Sequence, residues 1–160
     1  MGFLDKMKHF MGGHGVKVKH TQVEKQDPTS VRLPLNETVV KGKFQVTAEK
    51  ECHVLSMKSS MIMEVKHPDG RVENVVLGED VFPSPNVSRS DGMLKYPYTL
   101  AAGGTQDDFF IISMPSSIPK ELEKRKLSLG GPVRFFVKTM VDVEGSPFDP
   151  EEECPITIDA

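Results

Sequence analysis

Beyond Gly15 the chain alternates between apolar and polar side chains. From Val39 to Ala48 one face carries Val40, Gly42, Phe44, Val46 and Ala48, and the other Lys41, Lys43, Gln45 and Thr47. A strand turns successive side chains to opposite faces, so this stretch predicts a strand with one buried and one wet side. Val16 to Glu24 is a weaker version, led by Val16 and Val18. Met61, Met63 and Val65 oppose Ile62, Glu64 and Lys66. Val133, Phe135, Val137, Val141 and Val143 alternate with Arg134, Lys138 and Asp142. Tyr96, Tyr98 and Leu100 share a face, Phe109 to Ile112 is a near-continuous apolar run, and Ile156 and Ile158 predict a short closing strand.

The punctuation between these stretches is that of turns. In His67-Pro68-Asp69-Gly70, proline presets the first turn position and glycine accepts positive φ, so the Met-rich strand and Arg71 to Leu77 should form a hairpin. Glu79 to Gly92 reads as a long loop and Ala102 to Asp108 as a shorter one. Gly103-Gly104-Thr105 and Gly130-Gly131 read as hairpin turns. Pro119 to Lys126 fits one helical turn, since proline is accepted at the first helical position. Strands without helical crossovers between them predict an all-β fold, an antiparallel immunoglobulin-like β-sandwich.

One segment breaks the period. In MGFLDKMKHFM, Phe3, Leu4, Met7, Phe10 and Met11 fall on one helical stripe, and Gly12 and Gly13 end it. The expected organisation is an amphipathic helix over 1–13 and a single sandwich domain over 14–160. The stripe is the candidate partner-binding site. Its occupants are a partner's groove, a membrane surface or the sandwich's own edge. Lys6 stands where an N-myristoylation signal has Ser or Thr, which disfavours that anchor.

Composition narrows the function. The 160 residues carry a net charge of −3, and Lys and Arg are dispersed among acids, which argues against a nucleic-acid partner. Nine Met and no Trp suggest an adaptable core. No apolar run matches a bilayer span and the start lacks a secretory pattern, so the expected location is the cytoplasm. There Cys52 and Cys154 should be free thiols, a Cys52–Cys154 bridge across the sandwich being the alternative.

Catalytic patterns are weak. Cys52 and His53 are neighbours, so on a strand they point to opposite faces. His9, His14, His20, His53 and His67 lack paired ligand spacing. Asp149 and Glu151 to Glu153 read as a solvated charge run rather than a calcium loop. Neither glycine pair makes a phosphate-binding motif. No catalytic residue, metal or cofactor is therefore expected. The rival reading is a metal-dependent or cysteine-based hydrolase whose groups meet only in three dimensions.

Three stretches together resemble the N-terminal half of arrestin-fold proteins. They are the lysine-and-valine strand followed by VVKGKFQV, then YPYTLAAGGTQDDFFIISMP, then LSLGGPVRFFVKTMVDVEGSPFDP. Within that superfamily the chain most resembles the bacterial sporulation-control family, whose members also begin with a short amphipathic segment and carry an aspartate-proline loop, as at Asp149-Pro150. The order of elements matches over residues 1 to 158. The resemblance implies an arrestin-like sandwich of seven or eight strands used as a regulatory scaffold or adaptor in sporulation or stress regulation, without enzyme activity. Arrestin-fold proteins usually pair two sandwiches, and this chain ends where the second would begin. The expected partner is a protein, held by a sheet edge, loops or the N-terminal helix. A homodimer through the edge, weak membrane-surface contact and a role as a peripheral trafficking adaptor are the alternatives.

Overall fold

The alternating stretches become strands and stack as two sheets. A computed structural model describes residues 15–23, 31–84, 94–115 and 117–159. The helix expected over 1–13 lies outside the described residues. The elements in order are β1 (Val16–Val23), β2 (Val31–Pro34), β3 (Val39–Ala48), β4 (Cys52–Lys66), β5 (Val72–Phe82), β6 (Tyr98–Leu100), β7 (Thr105–Ser113), helix α1 (Ile118–Lys124), β8 (Val133–Val143) and β9 (Glu151–Asp159). A three-stranded sheet runs β1-β3-β7. A six-stranded sheet runs β2-β9-β8-β4-β5, with β6 paired to the first residues of β4.

The inward faces are those the period selects. Val40, Phe44, Val46, Phe110 and Ile112 of the small sheet meet Met57, Met61, Met63, Val65, Val137 and Val141 of the large one. Each such side chain contributes about 1.5–3 kcal/mol by leaving water. The three methionines alternate along one strand, where unbranched thioethers fill the irregular gap between twisted sheets. Ser117 caps α1 by accepting from the Lys120 amide at 3.3 Å, and Ile118 and Leu122 enter the same core.

The hairpin at Pro68 forms as expected: Lys66 opposes Val72, the Gly70 amide donates to the His67 carbonyl at 3.0 Å, and Gly70 has φ +89°. Elsewhere the boundaries differ from the expectation. β4 is fifteen residues long and begins at Cys52, because Ser59 and Ser60 hide its first half from a hydrophobicity pattern although both are buried. β5 continues to Phe82, where a loop was expected from Glu79. β7 starts at Thr105, inside the expected loop, with Asp108 turned inward.

β9 begins in the acidic run. Glu151 to Glu153 pair with Met140 to Lys138 of β8, and Lys138 and Arg134 reach Glu151 and Glu153 at 3.2 and 3.7 Å, so the run is a paired strand rather than a free solvated tail. The large sheet is also not wholly antiparallel. β2 runs parallel to β9, and Arg32 holds Asp159 at 2.6 Å. Four residues are too few to show a period. The glycine pairs are not hairpin turns either. Gly103 (φ +74°) turns the chain from one sheet to the other, and Gly130 and Gly131 join α1 to β8.

Candidate interaction surface

Phe3, Leu4, Met7, Phe10 and Met11 lie outside the described residues. The remaining candidates can be followed from their strands. Cys52 is buried and its neighbour His53 is exposed, on opposite sides of β4, where the His53 ring bonds Thr99 at 2.9 Å. Both cysteines are free. Burial first, then a neighbouring carboxylate, pushes both thiols above their ordinary pKa, which suppresses the nucleophilic thiolate. Among the described residues no group of three His, Cys, Asp or Glu side chains could hold a metal ion, and no helix is long and apolar enough to cross a membrane.

One polar constellation was not legible in the sequence. His20 of β1, Thr139 of β8, Ser59 of β4 and Glu152 of β9 come from four strands and meet between the sheets. His20 Nε2 lies 2.8 Å from Thr139 Oγ1, which lies 2.7 Å from Ser59 Oγ. The His20 amide donates to Glu152 Oε1 at 3.0 Å. The ring Nδ1 lies 3.3 Å from the same oxygen, off hydrogen-bond geometry. Burial favours the neutral acid at Glu152, but the His20 contacts outweigh it and hold the carboxyl below its usual range. A hydroxyl, an imidazole and a carboxylate in series have the chemistry of a nucleophile and its base. Here, however, Ser59 and Thr139 are fully buried and the His20 side chain is 3% exposed, so no substrate atom can approach. The chain of bonds ties the two sheets together.

The same carboxylate bears on the sheet edges. An edge strand presents unpaired amides and carbonyls, and side chains can satisfy them. Glu152 closes the outer edge of β1 at His20. Asp80 of β5 does the same for β7, accepting from the Ile111 amide at 2.9 Å. β5 is different. Its second half packs against the end of β7, where Gly78 approaches the Ser113 carbonyl. Its first half, Val72 to Leu77, pairs with β4 on one side, and among the described residues no strand pairs with the other. Val72 and Val76 on this half are 48% and 51% exposed, with Val81 beyond at 43%. Glu73, between them, is occupied. Arg125, which caps the C-terminus of α1, and His67 bond it at 3.1 Å each, and these bonds, the arginine's first, hold its carboxyl below the ordinary value.

Val76 continues an apolar row across the outer face of the large sheet. It opposes Ile62, which opposes Phe136, itself covered by the Arg134 guanidinium at 4.5 Å. The outer face of the small sheet carries more polar side chains, with Ile111 and Phe109 among them, and has a shallow cleft of about 510 Å³ lined by Thr21, Lys43, Gln45, Asp107, Asp108 and Phe109.

Comparison with known proteins places the fold. No family model and no curated protein matches the sequence. Among solved structures, the chain is similar to Spo0M, the sporulation control protein of Bacillus subtilis, with a TM-score of 0.61 and 15% identity over 91% of this chain and 49% of that one. The chain thus spans about half the length of that protein. At this identity the likeness shows the fold, an all-β arrestin-like sandwich. A second structure, the alkylpurine DNA glycosylase AlkC of Pseudomonas fluorescens bound to DNA containing an abasic site analog, matches with a TM-score of 0.41 and 12% identity, covering 92% of this chain and 31% of that one, and carries no argument.

Proposed function

We propose that this chain is a non-enzymatic regulatory or adaptor domain that binds a protein partner by strand addition to β5. The observation that carries the reading is the contrast between edges: β1 and β7 each have an outward amide, at His20 and Ile111, taken by a carboxylate, whereas among the described residues Val72 to Leu77 has one side with neither a strand nor such a bond, beside exposed valines. Added strands gain affinity from main-chain bonds and specificity from alternate side chains, and the valines offer the apolar half of that contact. A second copy of the chain could supply the strand, giving a homodimer. The likeness to a sporulation control protein supports a regulatory role in sporulation or a related response, and the reading places the domain in the cytoplasm. The closed polar chain at His20 and the divergence of Cys52 from His53 support a role without catalysis.

Selection of extended peptides from a displayed library against the full chain tests this. Ligands with alternating apolar residues should slow amide exchange at Val72 to Leu77, and Val76→Lys should abolish the selection. Ligands that leave these amides unchanged and bind Val76→Lys equally well would refute it.

A further inference from the structure

We propose that the outer face of the three-stranded sheet docks electrostatically on an anionic lipid bilayer. Strand period sends Lys17 and Lys19 of β1 and Lys41 and Lys43 of β3 to this face, and all four are exposed. Register packs them together. Lys19 opposes Gln45, Lys43 opposes Phe109, and Lys41 opposes Ile111. None forms an ion pair with a described residue, although the charge of Lys19 helps to hold the Glu152 carboxyl down.

The large sheet is built the other way. There Lys58, Arg134 and Lys138 are matched with Glu79, Glu64 and Glu151, and at its edge Arg32 with Asp159. A chain of net charge −3 thus sets four lysines on one face without an ion pair among the described residues. Asp107 is the carboxylate set among them, and Gln45 donates to it at 3.1 Å.

The apolar content of the face selects the partner. Ile111 is 47% exposed beside Lys41, and Phe109 is partly exposed beside Lys43. An aliphatic side chain next to an ammonium suits a headgroup boundary, where apolar atoms enter the acyl region while lysine stems extend their charges to the phosphates. A polyanion in water would leave Ile111 with nothing to gain. The basic residues are all lysine, which attracts as a point charge. Arginine's planar fork, which reads discrete phosphates or base edges in pairs, is missing from the four. The one aromatic ring is too few for a base-stacking platform.

Flotation of the full chain with phosphatidylcholine vesicles, with and without phosphatidylserine, tests the proposal. Binding should require phosphatidylserine and fall at high salt. Each lysine neutralised should weaken partition roughly fivefold, so Lys41→Gln with Lys43→Gln should lose about 25-fold, and Ile111→Ser should lose a further share. Unchanged thermal melting would show that these outward substitutions leave the fold intact. The proposal is overturned by native chain that ignores anionic vesicles, by the double variant floating as well as native, or by Phe3→Asp with Phe10→Asp alone abolishing the binding. Tighter capture of single-stranded RNA than of anionic vesicles at the same salt would overturn it too.

Discussion

Replacing Gly78 by alanine probes how the two sheets close on each other. β5 and β7 belong to different sheets, and at Gly78 their backbones nearly touch. A Cβ there would stand 2.2 Å from the Ser113 carbonyl oxygen, and 3.0 Å from both the Ser113 carbonyl carbon and Ile112 Cγ2. The obstacle is main chain and a fully buried side chain, so no flexible group can swing aside. Ordinary contact needs roughly 3.3 Å or more, so one strand must retreat by about 1 Å. Overpacking of this kind costs about 1–3 kcal/mol. The retreat also stretches the Asp80 bond to the Ile111 amide, two residues along, a partly exposed charged hydrogen bond worth about 1 kcal/mol more. The expected loss is therefore about 3 kcal/mol, or a fall in melting temperature of roughly 6–12 °C for a chain of this size. Urea unfolding with a thermal melt measures it. Gly70→Ala is the control. Nothing lies within 4 Å of its Cβ, and only the positive φ resists, at about 1 kcal/mol. A Gly78→Ala variant within ~0.5 kcal/mol of native, inside the range of an ordinary surface substitution, would refute the close approach of the sheets.

Thr139→Val removes the hydroxyl that joins Ser59 to His20 and leaves both without that partner in the interior, so urea unfolding should show a loss of about 1–3 kcal/mol. The Glu73 carboxyl is held below its ordinary value by Arg125 and then His67, so the native state binds fewer protons than the unfolded one just below pH 4–5; its stabilisation is present above that range and lost as pH falls through the folded value. Arg125→Leu should therefore make stability fall less steeply in acid, as followed by urea midpoints across that range. Thiol titration with a disulfide reagent should find two free thiols after unfolding, and in the native chain Cys52 should react far more slowly, its burial having raised its pKa.

Legibility followed the physics of each segment. β3 and β8 could be read from the sequence because every other residue enters the core and the rest meet water. The first half of β4 could not, because Ser59 enters the core as a polar group whose partner, Thr139, lies eighty positions away on another strand. The acidic start of β9 looked like a charge run for the same reason, since Lys138 and Arg134 come from the neighbouring strand and are invisible to local charge patterning. Gly78 stood before an apparent loop, whereas its real purpose is to let two backbones pass. The candidate surface was half legible. An open edge follows from any sandwich, but which outward amides find a carboxylate depends on Asp80 and Glu152, which accept from Ile111 and His20 through tertiary packing alone. The lysine face was present in the alternation of β3, yet its lack of counter-charges emerges only when the ion pairs of both sheets are compared.

Amide exchange on the full chain, with and without a selected extended peptide, tests the strand-addition reading most directly. Protection gained at alternate residues of Val72 to Leu77, with β1 and β7 unchanged, is the expected result. Protection appearing elsewhere while those β5 amides exchange as before would contradict it.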